Sequence, residues 1–109
     1  MTEHSGMGPI DFTVDTDNLY LEEIFTDFKA GNIRKLTPVD LEGEEDIARD
    51  VLFFGQTRMM TQDGPIQLQA ALDAGSLEEA VEVFPEAMQQ VLEDTIEKMN
   101  GQQTQQKGH

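Results

Sequence analysis

The stretch "VLFFGQTRMMTQDGPIQLQAALD", residues 51–73, restricts the fold more than any other part of the chain. Two runs rich in apolar and β-favouring residues flank Asp63-Gly64, a pair suited to the tight turn whose twist matches a hairpin. A hairpin at 51–72 with that turn sets Gln62 against Pro65, Met60 against Gln67 and Arg58 against Gln69. Thr61, Met59, Thr57 and Gly55 then oppose Ile66, Leu68, Ala70 and Leu72. One side collects Val51, Phe53, Met59, Ile66, Leu68, Ala70 and Leu72; the other collects Gln56, Arg58, Gln67 and Gln69. That division is a core face and a wet face. Leu52, Phe54 and Met60 also fall on the wet face, and a second apolar side on a small sheet implies a cover. Either the N-terminal segment or a second copy of the chain would supply it. Gly55 marks a bulge or a close approach.

Residues 76–101 follow with a helical pattern. Ser76 and Glu79 have the spacing of a capping box. Leu77, Ala80, Val81, Phe84, Met88, Val91, Leu92, Ile96 and Met99 form one stripe, Lys98 lies in the last turn, and Gly101 suits a stop. Pro85 interrupts the run. A proline inside a helix costs about 3 kcal/mol, so the spacing predicts either a kink or a break with a second helix starting at Pro85.

The N-terminal half is less regular. Ile10, Phe12 and Val14 alternate with Asp11 and Thr13, which predicts a short strand at 10–14. Residues 19–28 carry two patterns. Leu21, Ile24, Phe25 and Phe28 have the spacing of a helical face, whereas Tyr20, Ile24 and Phe28 share one side of a strand. Residues 32–41 read as extended, with Pro38 at a sheet edge or a strand end. Residues 42–50 read as a charged loop with one helical turn at 46–50.

The chain has 109 residues, no cysteine and a formal charge of −15 from 22 acidic and 7 basic residues. The length suits one domain. The polar ends give a division into a disordered tail at 1–8, a single domain at 9–100 and a second disordered tail at 101–109. Without cysteine there is no disulfide, zinc-thiolate site or cysteine nucleophile. No apolar run approaches the roughly 20 residues that span a bilayer, and no basic segment precedes an apolar one as in a secretory signal. The expected setting is the cytoplasm. The negative charge repels phosphate backbones and anionic membranes, so neither nucleic acid nor membrane is an expected partner.

Catalytic chemistry finds little support. As a calcium loop, residues 15–26 put Leu19, Tyr20 and Thr26 where a ligand, a glycine and a glutamate belong. Counted from Asp40, the second acidic loop fails at Glu45 and Val51, which leaves only a weak cation site at Glu42, Glu44, Glu45 and Asp46. The two histidines, His4 and His109, lie in the expected tails. No nucleophile elbow or phosphate-cradling glycine loop is present. No catalytic residue, cofactor or specific metal site is assigned.

Residues 17–39, "DNLYLEEIFTDFKAGNIRKLTPV", and 54–89, "FGQTRMMTQDGPIQLQAALDAGSLEEAVEVFPEAMQ", resemble a family of small acidic bacterial proteins labelled only hypothetical or cytoplasmic. The resemblance covers most of residues 10–95. It implies a bacterial cytoplasmic setting, no assigned activity, and a largely extended course over 24–39, which favours a strand for the ambiguous segment. In topology alone the expected arrangement is also similar to the SecB-type export chaperones, with no motif matched residue by residue.

The expected fold is therefore α+β: a small antiparallel sheet of three to four strands, with a Pro-kinked or split C-terminal helix packed on one face. The expected function is non-enzymatic: a self-associating, adaptor- or chaperone-like interaction module, a homodimer or larger. Leu52, Phe54, Met60, Met88 and Met99 are its candidate contact residues. The alternatives are an acidic decoy for the nucleic-acid site of a basic protein and a weak divalent-cation-binding protein.

Overall fold

The computed structural model describes residues 9–107, with the backbone alone over 101–107. The expected tail at 1–8, and both histidines, lie outside the described residues.

The hairpin is present as β3 (Leu52–Thr61) and β4 (Gly64–Leu72), and its turn sits one residue earlier than expected. Thr61 pairs with Gly64, Met60 with Pro65 and Met59 with Ile66. Gln62 and Asp63 form the loop, and Gly64 adopts φ of 110°, a value that favours glycine. The Thr61 hydroxyl holds this arrangement. It donates to the Gly64 carbonyl at 2.6 Å and accepts from the Asp63 amide at 3.2 Å. The partner shift is two residues, so each side chain keeps its face.

Two further strands extend the sheet. The segment with two patterns is a strand, β1 (Tyr20–Thr26), and β2 (Asn32–Pro38) ends at its proline. The order β1-β2-β3-β4 is an antiparallel meander. β2 pairs with β3 only over Asn32–Leu36. Pro38, which lacks an N–H, therefore lies past the end of that ladder.

The strand expected at 10–14 is not formed. Residues 9–14 have no regular structure, and Ile10, Phe12 and Val14 are exposed. Asp11 turns the chain locally by accepting the Thr13 amide at 2.9 Å. Alternation alone does not make a strand when no neighbouring edge takes up its hydrogen bonds.

The C-terminal helix α1 (Leu77–Lys107) is one continuous run, not two, with Pro85 inside it. Ala80 on one side of the proline and Met88 on the other are both buried, and Phe84 packs against the same core. That packing holds both halves on one surface and offsets the lost hydrogen bond. Helical backbone also passes Gly101, the expected stop. Glycine costs only about 1 kcal/mol inside a helix, and the glutamines that follow favour helix. At the other end the Ser76 hydroxyl accepts the Glu79 amide at 3.2 Å, and Glu79 reaches back to the Gly75 amide at 2.7 Å. The box thus closes one residue before its usual partner.

α1 packs on β4 and β3, touches β2, and does not reach β1. Ile33, Phe53, Leu72 and Ala80 form the core cluster, with Leu77, Val83, Phe84 and Ala87 packed around it. Gly55 is a point of close approach, since a Cβ there would lie 2.9 Å from the Phe84 ring and 3.1 Å from the end of Met88.

The loop at 40–50 contains turns and no helix. Arg49 pins it. Its Nη2 donates to the carbonyls of Leu19 (3.2 Å) and Val39 (3.0 Å), its Nε donates to Asp46 at 2.9 Å, and its guanidinium lies 5.1 Å from the Tyr20 ring centre. Among the described residues, no helix is long and apolar enough to cross a membrane.

Candidate interaction surface

The strand register divides the side chains into a helix side and an open side. Leu52, Phe54 and Met60 all project to the open side with Ile24, Leu36 and Ala71. Phe54 is half-buried, Leu52 is exposed, and Met60 is 75% exposed. Polar groups cross the same face. Arg34 Nε lies 2.7 Å from Glu22 Oε2, and the Gln56 amide donates to Gln69 at 2.9 Å. The open side is therefore mixed, its apolar residues interleaved with Glu22, Arg34, Gln56, Arg58, Gln67 and Gln69.

The other two candidate residues lie elsewhere. Met88 is 7% exposed and belongs to the core beneath α1. Met99 is exposed on α1, on the opposite layer from Leu52 and Phe54. Met88 fell on the helical stripe because that stripe is broad enough to serve both a core and a surface.

On the helix side, α1 covers β3 and β4 and leaves β1 uncovered. The result is a groove of about 400 Å³ with Phe25 and Ile33 as its floor and Leu77, Val81 and Phe84 as its wall. Val81 is 56% exposed despite its place on the stripe. Pro85 stands beside it and has no N–H, so the Val81 carbonyl lacks its usual partner four residues on. Asn32 also borders the groove. The sequence signalled Val81 only as a member of the helical stripe. Phe25 was hidden by the helix-or-strand ambiguity of its segment.

The loop that closes the groove at one end is tightly built. Asp27 Oδ1 accepts the amides of Lys29 (2.8 Å) and Ala30 (2.9 Å), and those bonds hold its carboxyl below the usual range. The Thr57 hydroxyl donates to the Ala30 carbonyl. Phe28 sits at the tip with φ of 59° and 94% of its surface exposed. A bulky side chain in the left-handed region is uncommon and costs about 1–2 kcal/mol.

The acidic residues do not converge. Asp40 caps its own turn, accepting the amides of Glu42 (2.9 Å) and Glu44 (3.0 Å), and Asp46 is held by Arg49. Among the described residues, no three carboxylates or histidines lie close enough together to hold a metal ion.

No family model matches the chain, and no match to it was found among curated proteins or solved structures.

Proposed function

We propose that the protein is a non-enzymatic, self-associating interaction module, adaptor- or chaperone-like in action. One observation carries this reading. Among the described residues, fifteen large apolar side chains are exposed, against six hydrophobic residues that are buried. Single exposed apolar residues are ordinary, but contiguous patches mark contact surfaces. Tyr20, Ile24, Leu52 and Met60 lie on the open side of the sheet, Phe25 and Val81 along the groove, and Ile96 and Met99 on α1, while Ile10, Phe12, Val14, Phe28, Leu41 and Ile47 lie in the N-terminal segment and the loops. A marginal small domain that leaves so much apolar surface in water gains stability when another chain covers it.

The test is affinity capture from a bacterial lysate at low and high salt, with wild type and with L52S/M60S. An apolar contact holds as salt rises, and the double variant loses it. A steep loss with salt would favour an acidic surface mimicking nucleic acid instead. A monomer that captures nothing at either salt would sink the reading.

A further inference from the structure

The groove beside α1 has a shape, a length and a pattern that fit one occupant, a second copy of α1. We propose that two chains associate about a twofold axis. Their α1 helices then run antiparallel, and the C-terminal half of each fills the other's groove above Phe25 and Ile33. This inference rests on the reading of the protein as a self-associating module and names the surface and the partner.

The helix pattern supports it first. Val81, Pro85, Met88, Leu92 and Met99 follow one line along α1, about a quarter turn around the axis from the core line of Ala80, Phe84, Ala87 and Val91. A helix lying beside α1 on the same sheet would meet that flank. The line is also self-complementary about Gln90: an antiparallel copy sets the exposed Val81 against the exposed Met99, and brings Leu92 level with Met88, whose side chain is taken up by its own core. A twofold contact demands such self-matching, in which residue i meets j and j meets i. Thr95 opposite Pro85 leaves no charge in the seam. Glu82 falls level with Lys98 and Glu93 with Ala87; Glu86 and Asp94 fall level with each other, on the outer side of both helices.

Length supports it next. At about 1.5 Å per residue the 31-residue helix is roughly 46 Å long, whereas the nine residues of β4 span about 30 Å. The last part of α1 thus runs past the length of β4, and Met99 is exposed there, with Ile96 exposed just before it. The groove of a second copy is a sheet surface that lacks a helix.

Two single-cysteine variants of this cysteine-free chain, Val81→Cys and Met99→Cys, test the arrangement. Mixed and mildly oxidised, they should cross-link to each other, while Val81→Cys alone should not. Efficient cross-linking of Val81→Cys to itself would overturn the antiparallel pairing. In parallel, wild type should sediment at twice 12.2 kDa. The variant V81E/I96E should sediment as a monomer with unchanged circular dichroism, because both positions are exposed within one chain. A wild type that sediments at 12.2 kDa at every concentration overturns the proposal. If that monomer binds another protein and V81E/I96E does not, a foreign chain fills the groove and only the second-copy proposal falls. If neither is seen, the interaction reading falls with it.

Discussion

Gly31 joins the tip of the β1–β2 loop to β2, and the geometry there admits no side chain. A Cβ would lie 2.1 Å from the Gln56 carbonyl oxygen, and φ is 149°. Gly43 has φ of 81° with nothing near it. Gly31→Ala should therefore lower stability by about 3 kcal/mol and Gly43→Ala by only about 1 kcal/mol, compared through urea midpoints. Equal losses would mean that conformation matters and the contact does not. Phe28 presents the reverse case. Its left-handed backbone is unfavourable, and its ring makes almost no contact within the chain. Phe28→Gly should hold or raise stability by up to about 1 kcal/mol. A clear loss would show that the ring is covered in the functional protein. Asp46 sets a pH dependence. Its hydrogen bond from Arg49 holds its folded pKa below the ordinary value, whereas an unfolded aspartate titrates near about 3.9. A depressed folded pKa stabilises fully above the unfolded value, and that stabilisation is lost as pH falls through the folded one. The stability gap between wild type and Asp46→Asn should be present at neutral pH and should close in the acid range below about 3.9. A gap that persists there would contradict the assignment.

At the scale of elements, α1 was legible except at its breaks. Pro85 suggested two helices because local rules weigh the lost hydrogen bond and not the sheet that holds both halves. Pro85→Ala should restore the bond to the Val81 carbonyl and raise stability by about 1–3 kcal/mol in thermal unfolding. No gain would mean that the helix is already bent to suit the proline. β1 was ambiguous for a reason that the fold explains. Leu21 and Phe25 face the groove side, while Tyr20 and Ile24 face the open side. Apolar residues on both faces blur the period of two and mimic a helical spacing. The hairpin was plain because only one of its faces lies under a helix. The expected strand at 10–14 failed because pairing depends on a neighbouring edge, which no local pattern encodes. Of the candidate contact residues, Leu52, Phe54, Met60 and Met99 are at least partly accessible. Met88 is in the core, since a stripe does not say which of its members face the sheet.

For the whole molecule the chain is broad and thin. Its radius of gyration is 19.2 Å, against about 13 Å for a compact domain of this length. A thin sheet with one helix leaves β1 uncovered on the helix side, and the proposed second copy would supply the missing layer. The charge opposes that step. Two chains of −15 repel, so added salt should strengthen self-association by screening, opposite to its effect on a basic partner. Sedimentation equilibrium of the full chain at low and moderate salt tests this account most directly. The account predicts a species of twice 12.2 kDa that is favoured as salt rises. A 12.2 kDa monomer at every concentration and salt would contradict it.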